Sequence, residues 1–285
     1  MTRHTLPHRV VAQHATQSPT AIAAVADGRH ISYGEFETEA RRMACFLRRR
    51  GVGPGSVVGA RLTSATDLIV ALLGVWKTGA AFVLLPESLP GERLASITRD
   101  ARIDLLLSVG TSAPDPEGGV EVLCLDTMRE EIASCPDDAW EEAANHAADP
   151  AFLSYGASDT GLVIDWGTLA AYASALAGQH DLSPSDRVVF SAPVEEATCY
   201  GALLATLVNG ATAIFPALGD APDAGAVPAA VAEFQGTVLA VPHPLLANWR
   251  TCPAGRSAPP CAWCSPTHRS WTPARTRRRT DGSPP

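Results

Sequence analysis

An α/β fold with mostly parallel sheets flanked by helices is predicted by two features of this 285-residue sequence. Short apolar runs rich in Val, Leu, Ile and Ala alternate with longer segments whose apolar residues recur at helical spacing. Glycine, proline or a capping residue marks most of the boundaries between them, as strand–helix–strand units require. A third feature bounds the fold. Residues 250–285 contain seven Pro and seven Arg but no Leu, Ile, Val, Met or Phe. Nothing in that tail offsets the entropy of ordering, so residues 1–249 are expected to fold and 250–285 to be disordered.

The elements follow in order. The segment before Pro19 predicts a short helix, 21–25 a strand and Asp27-Gly28 a turn. The next helix is well signalled. Ser32 and Glu35 form a capping box, Phe36, Ala40, Met43, Ala44 and Leu47 share one face, and arginines 48–50 suit the negative end of the dipole before Gly51. A strand at 56–62 leads to a helix marked by Leu68, Ile69, Leu72, Leu73 and Trp76 that ends near Gly79. A buried strand at 80–85, a helix at 90–101, a strand at 103–109, a surface loop at 110–119 and a strand at 120–125 come next. The acidic, Ala-rich connection 126–148 reads as a solvated helix or loop. Further on, a helix at 168–178, a strand at 187–191, a helix at 195–208 and a strand at 211–215 lead through a linker to a last helix, a strand at 237–241 and a short helix through Trp249.

Composition narrows the class. An apolar content of 46% supports a substantial core. No run approaches the ~20 apolar residues of a membrane span, and no signal peptide is apparent, so a cytoplasmic location away from membranes is expected. Cysteines 45, 124, 135, 199, 252, 261 and 264 are odd in number and scattered, which predicts reduced thiols. The tail carries a net +6 and residues 1–249 therefore −14. Lys77 is the single lysine beside 21 arginines, a bias assigned to codon usage, and no nucleic-acid partner is inferred. His4, His8, His14 and His30 share no spacing and are expected at the surface. Trp76 and Phe82 fit core stripes, and Lys77 reads as a partner for its helix's C-terminal dipole.

The chemistry is concentrated in residues 151–169, AFLSYGASDTGLVIDWGTL, read as an apolar strand, a small-residue loop and then a helix. Gly156, Ala157, Ser158, Thr160 and Gly161 have little bulk, so their backbone N–H groups could close on an anion beside the helix N-terminus. The loop has no lysine or arginine, and Asp159 places a carboxylate where phosphate would lie. Two like charges ~4 Å apart repel by about 1 kcal/mol even in water.

Three segments together resemble the adenylation domains of nonribosomal peptide synthetases, in the acyl-adenylate-forming ligase superfamily. ISYGEFETEARRMACFLRRRGVGPGSVVGARL is similar to the first core motif, and ALLGVWKTGAAFVLLPESLPGERL to the second, with Lys77, Gly79, Ala80, Phe82 and Val83 in place. The resemblance covers residues 8–249 and implies the N-terminal part of the large adenylate-forming domain, with ATP and Mg as cofactors and an amino or carboxylic acid as substrate. It also implies carrier-protein or synthetase partners. The family's third core motif holds the ATP phosphates with a Ser/Thr/Gly loop ending in Pro-Lys-Gly. Ser158, Asp159, Thr160 and Gly161 are its remnant here. Asp159 replaces a hydroxyl residue, and LVIDWGTL follows directly, so the lysine is gone. The family aspartate that pairs with the substrate amino group aligns best with Ala197, with Glu195 or Glu196 as alternatives. TVLAVPHPLLANW is similar to the segment preceding the adenine- and ribose-binding motifs, which do not follow, nor do the hinge and the second catalytic lysine.

The resemblance therefore implies a truncated, catalytically inactive adenylation domain that binds ATP weakly or not at all. No residue is assigned a catalytic role. A non-catalytic scaffold or interaction domain in a secondary-metabolite pathway is the alternative, and uncovered apolar surface would favour self-association. A zinc site at Cys252, Cys261, Cys264 and His268 in a nucleic-acid-binding tail is a third reading, weakened by the absence of predicted elements to hold the ligands.

The tail is expected to be the family's next segment read out of frame. Taking the last base of each codon with the first two of the next, Trp263-Cys264 must give valine. Thr251-Cys252, Pro260-Cys261, Ala262-Trp263 and Ser270-Trp271 must each give Leu, Val or Met, so hydrophobic residues return. Sequencing the gene checks this. The overlapping frame should stay open past codon 250 and encode adenine-binding and hinge motifs, whereas an early stop codon would make the tail a true extension.

Overall fold

The computed structural model describes residues 6–110, 119–137, 143, 145–156, 160–192, 199–218 and 226–241, and the backbone alone of 261–262 and 274–276. Within the last helix of the central stretch, the side chains of 173 and 176–180 are likewise outside the description.

The described residues form two sheets. The first contains β1 (Ile22–Ala26), β2 (Arg29–Ser32), β9 (Arg187–Phe190), β10 (Thr212–Ile214) and β11 (Val238–Ala240), with two short strands from the tail, β12 (Cys261–Ala262) and β13 (Ala274–Thr276). Its order is β12-β13-β11-β9-β10-β1-β2. The four strands β11, β9, β10 and β1 run parallel, with antiparallel additions at both ends. The second sheet contains β3 (Val57–Arg61), β4 (Ala81–Leu84), β5 (Leu105–Ser108), β6 (Glu121–Cys124), β7 (Pro150–Ser154) and β8 (Leu162–Asp165), in the order β6-β5-β3-β4-β7-β8. It is parallel except for the β7–β8 pair. The expectation of an α/β fold with mostly parallel sheets is met.

The helices are α1 (Pro7–Gln17), α2 (Tyr33–Arg49), α3 (Ala65–Thr78), α4 (Gly91–Ala101), α5 (Leu125–Ala133), α6 (Trp166–His180), α7 (Cys199–Val208) and α8 (Ala226–Glu233). They arrange the sheets in layers. On β4, Phe82 faces the main core while Val83 faces α4, as a period of two demands. Leu94, Ile97 and Ala101 of α4 cover the outer face of the second sheet against Val83, Leu85 and Leu106. Val227 of α8 covers the outer face of the first sheet against Val25, Val189 and Ile214. The inner faces of both sheets share one core with α2, α3 and α7, including Phe82, Phe152, Val188 and Phe190. Full burial of each such large side chain contributes about 1.5–3 kcal/mol.

Local signals explain most boundaries. The Ser32 N–H donates to Glu35 Oε2 at 2.7 Å and the Glu35 N–H donates to Ser32 Oγ at 3.2 Å, the capping box expected for α2. These Ser32 donors hold the Glu35 carboxyl below the usual range. Gly79, with φ at +86°, closes α3 in the left-handed conformation that glycine adopts without strain. The Tyr33 hydroxyl donates to Ala211 O at 2.8 Å and Leu207 O at 3.2 Å, and burial pushes its pKa upward.

Several expectations change. β2 and β8 are strands the sequence reading did not include, because RHIS and LVID are too short to display alternation. His8 is 1% exposed and meets Trp166 edge-on, with ring centroids 5.1 Å apart. The His14 ring hydrogen-bonds Val208 O at 2.9 Å, whereas His30 is exposed and His4 lies outside the described residues. Trp76 and Phe82 are fully buried, as expected. Lys77 lies in the last turn of α3, where a dipole partner was expected, but it is buried rather than at the surface. It is 3% exposed, and its ammonium donates to Glu37 Oε1 at 2.8 Å. Two short segments of the tail pair with the first sheet, β13 with the edge of β11 and β12 beyond it. Backbone pairing at an open sheet edge asks little of side chains, and the remaining residues of 250–285 lie outside the description. The short helix expected through Trp249 also lies outside it. Among the described residues, no helix is long and apolar enough to cross a membrane.

The buried pair yields a test. Glu37 also accepts from Arg41 Nε at 2.6 Å. Glu37→Met takes the carboxylate from both the Lys77 ammonium and the Arg41 guanidinium and should cost about 3 kcal/mol or more. Urea unfolding measures the loss, and a cost below about 1 kcal/mol would contradict it.

Candidate phosphate-loop remnant

β7 and β8 form an antiparallel hairpin, pairing Ser154 with Leu162, Leu153 with Val163, Phe152 with Ile164 and Pro150 with Asp165. The small-residue loop is the connection of that hairpin. Thr160 and Gly161 are described, while Ser158 and Asp159 lie outside the described residues, as do Ala157 and Ala197. Glu195 and Glu196, the alternatives to Ala197, also lie outside, and α7 is described from Cys199.

The expected helix N-terminus beside this loop is corrected by the hairpin. α6 begins at Trp166, after β8, so its N-terminus lies at the opposite end of the hairpin. Four strand residues at ~3.3 Å each put roughly 13 Å between them, and the dipole's influence fades within a turn. That N-terminus is satisfied by its own sequence. The Asp165 side chain accepts from the Thr168 N–H at 2.6 Å, which holds the Asp165 carboxyl below its ordinary range.

The loop base is braced from α4. The Tyr155 hydroxyl donates to Asp100 Oδ2 at 2.6 Å, and Arg93 Nη2 donates to Gly156 O at 3.2 Å. Burial, then the Asp100 carboxylate, push the Tyr155 phenol upward, while Arg93 acts in the opposite direction. Tyr155 in turn lies against Gly161. A Cβ at Gly161 would sit 2.5 Å from Tyr155 Cζ, so this position admits no side chain without movement. Sequence reasoning missed Arg93 and Asp100. They are seven residues apart and so share one face of α4, but their use at the loop depends on β7 packing beside β4. Positive charge therefore reaches the loop base from another element, although the loop itself carries none.

A second concavity, of about 800 Å³, opens at the carboxyl ends of β1, β9 and β10. Such strand ends are where open α/β sheets take ligands. Phe190 and Phe215 stack in its wall with centroids 4.5 Å apart, and Asp27, His30 and Glu233 supply polar groups. Ser191 is fixed there, its N–H and hydroxyl both donating to Ala240 O at 3.0 Å. Among the described residues, no group of three or more His, Cys, Asp or Glu side chains is placed to hold a metal ion. Of the proposed zinc ligands, only the Cys261 backbone is described.

The architecture defines an α/β domain of two mostly parallel sheets flanked by helices, and comparison with known proteins identifies the family. The profile of the AMP-binding enzyme family matches residues 11–262, and the chain belongs to that family. This match runs past residue 249, where the folded part was expected to end. Tyrocidine synthase 2 of Brevibacillus parabrevis is 26% identical over 207 residues, which cover 71% of this chain and 6% of that protein. Chondramide synthase cmdD of Chondromyces crocatus is 32% identical over 214 residues, covering 72% of this chain and 5% of that protein. The chain thus spans a small part of the length of these relatives. Among solved structures, the nonribosomal peptide synthetase FmoA3 (S1046A) in its α-methyl-L-serine-AMP bound form superposes with a TM-score of 0.78 at 23% identity. That superposition covers 90% of this chain and 29% of FmoA3, and the likeness is one of fold.

Proposed function

We propose that this chain is the N-terminal part of an amino-acid adenylation domain of nonribosomal peptide biosynthesis whose phosphate loop no longer supports adenylation. One observation carries the reading: the loop closes from Gly161 into β8 with no lysine between them, and the register Ser154↔Leu162 leaves it no longer connection. The ancestral reaction joins a carboxylate to AMP with loss of pyrophosphate. It depends on cations that hold the phosphates and neutralise the charge developing between the carboxylate and ATP. In the chain as it stands, the described loop offers the Thr160 hydroxyl and backbone N–H groups, and Arg93 donates to a carbonyl. These groups do not fit an ATP triphosphate, with or without Mg, and no catalytic step is assigned to them. Carrier-protein or synthetase partners follow from the multidomain relatives as part of the same proposal. A cytoplasmic location is consistent with thiols at Cys45, Cys124 and Cys135 that form no disulfide.

Pyrophosphate exchange into ATP with each proteinogenic amino acid tests the reading. No exchange above a boiled control is expected, and ATP affinity by calorimetry should be about millimolar or weaker. Exchange with any amino acid, or micromolar affinity, would sink the proposal.

A second reading, an interaction module that retained the fold, is favoured by the β8 edge. β8 is the terminal strand of its sheet among the described residues, and Leu162 and Val163 on it are 65% and 56% exposed. An exposed apolar edge strand pairs readily with another chain. Concentration-dependent self-association is expected in light scattering, reduced by Val163→Lys. A monodisperse monomer at all concentrations would count against this reading.

A further inference from the structure

Two thiols from distant parts of the chain meet at the contact between α2 and α5. Cys45 lies on α2 and is partly exposed, whereas Cys135, just beyond α5, is 3% exposed. Cys135 belongs to the main core and Cys45 packs against that core. Arg41 Nη1, four residues before Cys45, donates to Asp137 O at 3.5 Å, and Cys135 Sγ contacts Glu131 O at 3.5 Å, so Cys45 lies beside Cys135 on the facing segment. One turn away the same two segments are joined again. Arg50 Nη2 donates to both Glu131 carboxylate oxygens at 3.1 Å while its guanidinium lies 3.8 Å above the Phe46 ring. Contacts 41–137 and 50–131 run in opposite senses along the two segments, so two rungs hold them in register with Cys45 and Cys135 between them.

We propose that Cys45 and Cys135 are a modification site: a vicinal dithiol that a low-molecular-weight disulfide, of the oxidised-glutathione class, converts reversibly to an intramolecular disulfide. The accessible Cys45 thiolate attacks one sulfur of the oxidant, the oxidant's S–S bond breaks, and one thiol leaves with the electron pair and gains a proton. Cys135 then attacks the Cys45 sulfur of the mixed disulfide and expels the second thiol. Two protein thiols lose two electrons and two protons, and one small disulfide becomes two thiols. Burial, followed by the neighbouring Cys45 thiol, pushes Cys135 upward, with Arg49 opposing and Glu131 reinforcing. These surroundings suit Cys135 to the second, intramolecular step, where proximity replaces thiolate population. The bond would close a loop of about 90 residues containing α3, α4 and four strands of the second sheet, a length at which cross-linking constrains the unfolded chain strongly.

The test uses the full chain, reduced and then incubated with oxidised glutathione, quenched with iodoacetamide and mapped by mass spectrometry after proteolysis. The expected result is a linked pair of peptides containing Cys45 and Cys135, a mass loss of about 2 Da and full reversal by dithiothreitol. The thermal midpoint should rise by roughly 5 °C or more. Cys45→Ser keeps the size of the side chain and should abolish the link while leaving Cys135 unmodified; Cys135→Ala should instead trap glutathione on Cys45. Recovery of both cysteines as free thiols, a stable glutathione adduct on wild-type Cys45, or a link from either one to Cys252, Cys261 or Cys264 would overturn the proposal.

Discussion

The arrangement depends on a helix that is buried on nearly every side. In α3 every residue from Ala65 to Thr78 except Asp67 is buried, because the helix lies between two sheets and beneath α2. Such a helix has no solvated stripe, so a charge on it must bring its counter-charge. Lys77 is that charge, and Glu37 of α2 answers it at 2.8 Å. The crossing of the two helices is equally exacting. A Cβ on Gly74 would stand 2.5 Å from Met43 Cγ, so the absence of a side chain lets α2 come close enough for its glutamate to reach the lysine. Once α2 is seated, Tyr33 at its start secures the α7–β10 turn and Cys45 at its far end meets the segment after α5.

The second sheet places the loop remnant by a different rule. β4 and β7 pair in parallel and put Tyr155 and Gly156 above α4, where Asp100 and Arg93 reach them. β8 then turns back along β7, which carries the start of α6 away from the loop. An anion at this connection would lie away from the α6 N-terminus, with Arg93 at the loop base. The lack of any lysine or arginine in the loop sequence therefore weighs more here than it would at a loop that opens directly into a helix.

Much of the layer order was legible in the chain. The capping box at Ser32 and Glu35, the stripe from Phe36 to Leu47, the Gly79 stop and the β-branched runs at 57–61 and 187–190 are local signals, set by backbone geometry and apolar period. That the loop holds no lysine or arginine was equally legible, because it is a fact of residue order. β8 was not: four residues are too few for a period of two to declare itself, and a strand on a sheet edge needs only one partner. The Arg93 and Asp100 contacts were invisible for a related reason, since 63 and 55 residues separate them from Gly156 and Tyr155.

The sequence by itself determined the family, most of the element types and the chemical poverty of the loop, since each rests on neighbours along the chain. The tertiary structure alone decided that His8 is interior and His14 half-buried, that Lys77 is an ion-pair partner, that the loop lies away from the α6 N-terminus and that Cys45 lies beside Cys135. All four outcomes concern side chains or termini whose surroundings come from remote segments. Burial and electrostatic partnership are properties of the space around a group, and the identity of the group does not disclose them.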